Sequence, residues 1–362
     1  MKHAVMDLLV CPLCKSALHL KSFAGDSNWT QEGVLECDRG DRFPIVEGIP
    51  VLIEPHLRQD VLGGEEDRFW SKYPSHRPMG SAAPAVEQVR SPKKSAAEVW
   101  GYQWQYFHEL WKDEASEEQF YRWIQPLRPE DLKGQLILDA GCGTGRHVWF
   151  SAKHARTVIG IDLSFATRVA ERLSHDLPNA HIVQADIYRL PFRRAVFDRL
   201  FCLGVVHHLP DPKGAYFSYP EYVKKGGSVT IWVYGRENNW FAACALEVAR
   251  SVVTRRLPLP ILKTLSIIPA SVLRLVIAFI YAPLNHVAPA LAKKLPYNTF
   301  FMLFHRLSFR NLWSMVFDQL NAPIAHYYRG ALMEEWLKSS GLARTQLSHT
   351  NDMSWTLHGI KE

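Results

Sequence analysis

The chain of 362 residues is poor in cysteine and lacks a long apolar run near its start. Its six cysteines are too few for a disulfide scaffold, so they indicate a reducing compartment with one candidate metal cluster. The apolar runs before Cys11 are too short for a secretory signal peptide. The most lipid-like stretch, 275–292, contains two prolines, an asparagine and a histidine, unlike a spanning helix of ~20 apolar residues. These absences predict a cytoplasmic protein.

Acidic residues are missing from Val248 to Phe317, a stretch with nine basic residues. The basic residues alternate with segments rich in Leu, Ile and Phe. Apolar segments with basic charge alone suit a membrane surface or an amphiphilic anionic substrate. Binding of RNA phosphates and ordinary lid helices that happen to be basic are the alternatives. We favour the first interpretation, which predicts peripheral contact with the inner membrane surface through 248–317.

Composition divides the chain into five segments. Its length and its apolar fraction of 47% fit a globular protein of two compact units. Residues 1–54 carry three of the cysteines, and 55–95 are rich in Pro, Gly and Ser, which indicates a linker. Strand and helix signals alternate over 96–237. The basic apolar insertion, a predicted helical lid, occupies 238–325, and 326–362 return to a helix and two strands.

Strand-like runs alternate with helical segments in the third of these segments. The runs are QLILDAG, TVIGIDL, HIVQADI, RLFCLG and GSVTIWVYG. This alternation predicts an α/β fold with a doubly wound parallel sheet. Ligands of such sheets bind at the carboxyl ends of the strands, where the strand order reverses.

The first strand ends in a glycine-rich loop, DAGCGTGRH. Gly141 and Gly143 allow a tight turn and let a ligand approach the backbone closely. Asp162 ends the second strand, where it can accept hydrogen bonds from ribose hydroxyls, and Asp186 ends the third, near the expected adenine. The spacing G-x-G-x-G is shorter than the dinucleotide form G-x-G-x-x-G, which favours a ligand without a pyrophosphate.

Five motifs of this core resemble, in order, those of class I S-adenosylmethionine-dependent methyltransferases of the type 11, UbiE-like group. The motifs are LDAGCGTG, GIDLS, QADI, FDRLFCLGVVHHL and KKGGSV. The resemblance is close over 134–235 and loose over 326–361. It implies an enzyme with a Rossmann-like seven-stranded sheet, a helical insertion after strand 5, and S-adenosyl-L-methionine as the cofactor.

The resemblance also assigns roles to individual residues. The cofactor-binding residues that it implies are Asp139, Gly141, Cys142, Gly143, Asp162, Leu163, Asp186, Ile187 and Leu203. The aromatic segment from Trp100 to Trp111 is similar to the N-terminal cap of these enzymes. A helix that only packs on the sheet is the alternative for this segment.

Two adjacent histidines, His207 and His208, follow the fourth strand and are expected to face the methyl acceptor. Adjacent residues cannot easily bind one metal ion together, and no His, Asp or Glu cluster lies nearby in sequence. A histidine can, however, take a proton near neutral pH. We therefore predict catalytic roles for both histidines and for Tyr327, which follows the insertion. Polar residues that only fix the loop are the alternative.

Three N-terminal cysteines, Cys11, Cys14 and Cys37, have the spacing of part of a zinc ribbon. The segment resembles the small Trm112-like zinc-ribbon domains, in which zinc normally takes four ligands. Gly40 stands where a fourth cysteine is expected, and Asp41 is the next candidate. The resemblance implies a structural zinc ion with Asp41 or water as fourth ligand. A degenerate ribbon held by packing remains open.

Together these features predict a biosynthetic methyltransferase that acts on an oxygen or carbon atom of a small-molecule or lipid-like acceptor. One alternative is an RNA methyltransferase that binds rRNA or tRNA through the N-terminal ribbon. Another is a non-catalytic interaction protein with a vestigial cofactor pocket. Nucleic acid is the less favoured partner, because no N-P-P-[YF] motif follows the fourth strand.

Overall fold

The computed structural model describes residues 1–78, 92–108 and 112–362. The strands are Leu18–Gly25 (β1), Thr30–Cys37 (β2), Arg42–Val46 (β3), Ile49–Leu52 (β4), Leu136–Ala140 (β5), Thr157–Asp162 (β6), Ala180–Ala185 (β7), Phe197–Leu203 (β8), Val223–Tyr234 (β9), Ala343–Thr350 (β10) and Ser354–Ile360 (β11). The helices before the insertion are Pro55–Leu62 (α1), Gly64–Lys72 (α2), Pro92–Tyr106 (α3), Glu114–Trp123 (α4), Arg146–Ala152 (α5), Ala166–Ser174 (α6) and Pro212–Ser218 (α7). The remaining helices are Trp240–Val252 (α8), Leu259–Leu265 (α9), Ile267–Val276 (α10), Ala282–Val287 (α11), Pro289–Ala292 (α12), Asn298–Arg306 (α13), Phe309–Asn321 (α14) and Gly330–Ser339 (α15).

Within the described residues, the strands form one sheet in the order β1-β2-β3-β4-β7-β6-β5-β8-β9-β11-β10. Strands β5 to β9 run parallel, and β11 lies antiparallel between β9 and β10. Strands β5 and β7 are buried along their whole length, as expected where helices cover both faces of a sheet. The predicted α/β, Rossmann-like sheet with seven core strands is confirmed. Its order reverses between β5 and β8, which places a ligand site there.

The N-terminal strands extend this same sheet. Strands β1 to β4 pair antiparallel in sequence order, and β4 then pairs parallel with β7, where Leu52 lies opposite Ala185. The segment predicted as a linker, 55–95, differs from that expectation at its start, where α1 and α2 form. Leu57 and Val61 of α1 are buried in an apolar cluster, and this packing stabilises a helix that the Pro, Gly and Ser content does not indicate. Residues 79–91 lie outside the described part.

The insertion after β9 is helical, as predicted, and contains α8 to α14. A π-helical turn, Ile277–Tyr281, joins α10 to α11, so that Leu259–Val287 is one helix of 29 residues. By length and composition this helix could cross a membrane, with a mean hydropathy of 2.1 over its most apolar window, 22% of which is buried. Such a helix alone is weak evidence for a span. Pro283 comes two residues after the π-helical turn, where the regular hydrogen-bond pattern of the helix is already interrupted.

Candidate functional site

A cavity of about 660 Å³ opens at the carboxyl ends of the parallel strands, where the strand order reverses. Its volume is in the range that encloses a small ligand, and most of its lining is apolar or aromatic. All but one of the predicted cofactor residues line it. These are Gly141, Cys142, Gly143, Asp162, Leu163, Asp186, Ile187 and Leu203. The exception, Asp139, is fully buried in β5 beside the loop.

The glycine loop needs glycine for space as well as for conformation. Gly141 has a φ of 88°, and a Cβ there would lie 2.5 Å from a methyl group of Val205. Gly143 has a φ of 51°, and a Cβ there would lie 3.4 Å from the indole nitrogen of Trp104. A side chain at Gly141 would therefore collide with Val205, whereas at Gly143 a Cβ would make an ordinary contact and it is the left-handed backbone that favours glycine.

Asp162 fixes the loop in addition to facing the cavity. Its Oδ2 accepts a hydrogen bond from the N–H of Gly143 at 3.0 Å, and its Oδ1 accepts from the N–H and hydroxyl of Ser164 at 2.8 and 2.7 Å. Burial raises the pKa of Asp162, and these hydrogen bonds oppose that shift. Since a carboxylate oxygen has two lone pairs, Oδ2 can still accept a bond from a ribose hydroxyl. That contact stays a prediction.

Asp139 is a buried carboxyl group without a hydrogen-bond partner. Neither of its oxygens finds a donor among the described residues. Burial and the negative charge of Asp162 raise its pKa to about 7, and the charge of Arg146 opposes this shift. An uncompensated buried carboxyl beside a ligand cavity favours a ligand that brings positive charge. S-adenosylmethionine carries such a charge on its sulfonium, so the residues present fit this cofactor.

Helix α3 lines one side of the cavity, as the predicted cap would. Trp104 lies against the glycine loop at Gly143. Lys93 of the same helix places its Nζ 2.5 Å from Oδ2 of Asp186, an ion pair between residues 93 positions apart that the sequence pattern does not reveal. The helix thus holds both the methionine end and the adenine end of the predicted cofactor site. Residues 109–111 of the predicted cap lie outside the described part.

The two histidines differ in their surroundings. His207 is fully buried, does not line the cavity, and has no partner for either ring nitrogen among the described residues. His208 lines the cavity, with its ring centroid 4.7 Å from that of Trp100 and its Nδ1 2.6 Å from the carbonyl oxygen of Ile324. Burial lowers the pKa of His208 to about 4 and that of His207 well below its usual value. Both catalytic roles stay predictions, but only His208 borders the cavity.

A polar cluster that the sequence analysis missed lies in the cavity wall. The carboxylate of Asp318 accepts hydrogen bonds from Gln103 at 3.2 Å, from the Tyr234 hydroxyl at 3.3 Å and from Gln319 at 3.4 Å. The Tyr327 hydroxyl donates to Gln319 at 3.3 Å. All five residues line the cavity, so the predicted placement of Tyr327 at the pocket agrees with the structure, while its catalytic role stays a prediction.

Asp318 has the properties of a proton acceptor. Burial raises its pKa to about 6, against the hydrogen bonds that favour its charged form. A carboxyl with a pKa near 6 is ionised at neutral pH and is a stronger base than an ordinary aspartate. One signal in the sequence could have identified it, because Asp318 is the first acidic residue after the acid-free stretch.

The predicted metal ligands also come together. The ligand atoms of Cys11, Cys14, Cys37 and Asp41 all lie within 4.8 Å of one another. The sulfurs of Cys14 and Cys37 are 3.8 Å apart, and Oδ2 of Asp41 lies 3.4 Å from the sulfur of Cys37. A tetrahedral zinc ion with Zn–S bonds of about 2.3 Å sets its sulfur ligands about 3.8 Å apart. The four side chains therefore fit zinc, and both its binding and the Trm112-like character of the module stay predictions.

Comparison with known proteins identifies a methyltransferase domain in the chain. Residues 138–231 match the family model described as a methyltransferase domain. The tRNA U34 carboxymethyltransferase of Pseudomonas paraeruginosa (strain DSM 24068 / PA7) is 33% identical over 116 residues, which cover 31% of this chain and 36% of the relative. The enzyme of the same name from Geobacter sp. (strain M21) is 30% identical over 139 residues, covering 36% and 41%. The chain thus spans little more than a third of the length of these relatives.

Solved structures give weaker likenesses. A possible histamine N-methyltransferase from Thermotoga maritima has a TM-score of 0.42 at 12% identity, covering 74% of this chain and 100% of that one. The magnesium protoporphyrin IX methyltransferase of Synechocystis PCC 6803 with bound SAH has a TM-score of 0.36 at 14% identity, covering 85% and 100%. Scores of this size carry no argument about function, and the fold assignment is based on the sheet topology.

These findings correct one part of the sequence analysis. The predicted small-molecule or lipid-like acceptor, with nucleic acid as the less favoured partner, is wrong, because the curated relatives are named as enzymes of tRNA. The peripheral membrane contact predicted through 248–317 belongs to the same interpretation and is not supported. The predicted fold, enzyme class and S-adenosylmethionine cofactor are confirmed. The chain carries a class I S-adenosylmethionine-dependent methyltransferase domain.

Proposed function

We propose that the chain transfers a group from an S-adenosylmethionine-type cofactor to a uridine of tRNA. The observation that carries this proposal is the similarity of its core to tRNA U34 carboxymethyltransferases. The glycine loop, Asp139 and Asp162 would hold the cofactor, whose sulfonium supplies an electrophilic carbon. The protein then has to align the acceptor atom with that carbon and exclude water.

The cavity suits a nucleobase turned out of its RNA stack. Enzymes that modify a base extrude it into a pocket, where aromatic side chains stack on it and polar groups bind its edge. Trp100 and Tyr234 are among the aromatic residues that line this cavity. The amides of Gln103 and Gln319 are already hydrogen-bonded within the Asp318 cluster, so they would have to exchange these bonds to bind the alternating acceptors and donor of a uracil edge.

Asp318 would accept the proton that the acceptor group loses during transfer. Its pKa of about 6 is raised but still lies below neutral pH, so the group is mostly a carboxylate there. The Tyr234 hydroxyl donates a hydrogen bond that holds this carboxylate in place. Positive side chains for the phosphates are present on the insertion, where Arg256, Lys293 and Lys294 are exposed. Cations of this kind bind RNA backbone irrespective of sequence.

The test is transfer of label to RNA. The purified chain is incubated with methyl-labelled S-adenosylmethionine and total RNA from a host strain that lacks the gene, with Asp162→Ala as the inactive control. We expect label that sediments with tRNA, disappears on nuclease treatment and is absent with the control variant. A parallel reaction supplies a donor whose sulfonium carries a carboxymethyl group in place of the methyl group, and mass spectrometry of the nucleosides distinguishes a methyl from a carboxymethyl product. Absence of any modified tRNA nucleoside with both donors, or label confined to organic-soluble material, would refute the proposal.

A further inference from the structure

The long helix Leu259–Val287 has one face inside the protein and an opposite face that no described residue covers. Its inner face includes Leu262, Ala270, Ile277 and Tyr281, which are all buried. Side-chain hydrogen bonds fasten the same face to neighbouring elements. Trp313 donates to Ser266 at 2.9 Å, Arg274 to the carbonyl of Phe304 at 2.9 Å, and Tyr281 to the carbonyl of Pro296 at 2.9 Å. The helix is therefore held at a fixed rotation, and its outer face is a fixed surface.

The outer face is a continuous apolar stripe. Six large side chains on it are between 48% and 75% exposed: Ile261, Leu265, Ile268, Val272, Leu275 and Phe279. Successive members are separated by four, three, four, three and four residues. This is the 3.5-residue repeat with which one helix packs against another. We call these six residues the outer seam.

Charge is absent beside the outer seam. The positions that flank it are Thr264, Pro269, Ser271, Val276 and Ala278. The two basic residues of this part of the helix are engaged within the chain. Lys263 lies 3.5 Å from the centre of the Tyr106 ring, and Arg274 donates to main-chain carbonyls. On this helix, all of which the structure describes, a phosphate-bearing partner would thus find no free cation, whereas an uncharged seam can meet its own copy without repulsion.

The seam is also complementary to itself. Two copies related by a two-fold axis between Ile268 and Val272 pair these two residues across the axis. The same operation sets Leu265 against Leu275, and Ile261 against Phe279. An antiparallel helix pair of this kind is closed, because the same patch serves both copies.

The exposed apolar area of the outer seam is comparable with that of a small stable interface. Its six side chains, which are 48% to 75% exposed, together present on the order of 700 Å² per copy, against ~800 Å² per partner in a standard interface. The largest apolar patch on a typical monomer is ~300–600 Å².

We propose that the outer seam is the interface of a homodimer, in which Leu259–Val287 packs antiparallel against its copy. The proposal does not depend on the RNA substrate. Leu273 of the same helix lines the cavity, so this helix is part of the cavity wall, and its outer seam lies on the side away from Leu273. Dimerisation would stabilise the cavity wall from its outer side.

The test measures the mass of the full chain in solution by analytical ultracentrifugation and light scattering at micromolar concentration. The variant is Val272→Lys, which puts two like charges at the two-fold axis. The matched control is Val287→Lys, at a position that is 80% exposed on the same helix outside the seam. We expect a dimer for the wild type and the control, and at least a hundredfold weaker association for Val272→Lys.

Circular dichroism and cofactor binding check that Val272→Lys is folded. If it is not, a Cys244→Ser chain with cysteines at Ile268 and Val272 replaces it, because Cys244 is an exposed free thiol. Oxidation should then link two chains. A wild type that stays monomeric, a dimer that survives Val272→Lys, or a monomer that floats with phosphatidylglycerol vesicles through this face would each overturn the proposal. The last result would assign the face to lipid.

Discussion

Replacing Asp318 by asparagine removes a carboxyl group whose ionisation is costly in the folded protein. Burial raises its pKa from 3.8 to about 6. The groups that face it are Gln103, Tyr234 and Gln319, which donate hydrogen bonds to it, and Arg250, whose positive charge opposes the shift. The shift corresponds to about 3 kcal/mol. Because Asp318 borders the cavity, water screens part of this, and we expect an effect of about 1–2 kcal/mol.

The direction of the change in stability with pH follows from the proton that each state binds at Asp318. The folded state holds the Asp318 proton more tightly than the unfolded chain does between pH 4 and 6. The stabilisation by this proton is thus complete below pH 4 and is lost as the pH rises through 6. The amide of the Asp318→Asn variant does not titrate. The free energy of unfolding of this variant, minus that of the wild type, should therefore rise by about 1–2 kcal/mol from pH 4 to 7.

Urea unfolding of both proteins at several pH values measures this difference, with Asp67→Asn on the exposed surface of α2 as control. In the transfer assay, wild-type turnover should rise between pH 5 and 7 as the carboxylate forms. Asp318→Asn should lower turnover by at least ~100-fold and abolish this rise. A stability difference that does not vary with pH would refute the buried-carboxyl argument. Full turnover in the variant would refute its role as proton acceptor.

Three further predictions concern the cofactor and metal sites. Protonation of Asp139 should weaken the binding of S-adenosylmethionine by up to ~tenfold for each pH unit below 7, because the protonated carboxyl no longer attracts a cation. Calorimetry should show this pH dependence in the wild type and not in Asp139→Asn. Gly141→Ala should abolish cofactor binding while the chain stays folded, since its Cβ would meet Val205 at 2.5 Å; unchanged affinity would contradict the loop geometry. Cys37→Ser should remove zinc from the purified chain, as measured by mass spectrometry of the metal, and Cys244→Ser should not; a metal-free wild type would favour the degenerate ribbon.

The core of the fold could be predicted because its signals are local. Strands β5 to β9 are apolar runs bounded by glycines and acids, and the repeat of strand and helix leaves few topologies. The glycine loop could be predicted for the same reason, since Gly141, Gly143 and the acids that follow lie at set distances along the chain. The placement of Asp162 and Asp186 at the cavity follows from their positions at the ends of parallel strands.

What could not be predicted depends on contacts between distant segments. Lys93 meets Asp186, and Gln103 meets Asp318 over 215 positions, and neither pairing leaves a periodic signal. The prediction of the acceptor is wrong for a related reason. It interprets the insertion from composition, which does not tell Lys263 and Arg274, engaged with a ring and with carbonyls inside the chain, from the exposed Arg256, Lys293 and Lys294.

The pairing of β4 with β7 links the N-terminal module to the predicted cofactor site. Leu52 lies opposite Ala185, and the next residue along the chain is Asp186, which lines the cavity where the adenine of the cofactor is predicted to lie. The cysteine cluster sits in the same N-terminal module. A loss of order in that module would therefore reach Asp186 through one strand ladder. If the cluster binds zinc as predicted, we therefore expect loss of the metal to lower the affinity for the cofactor as well.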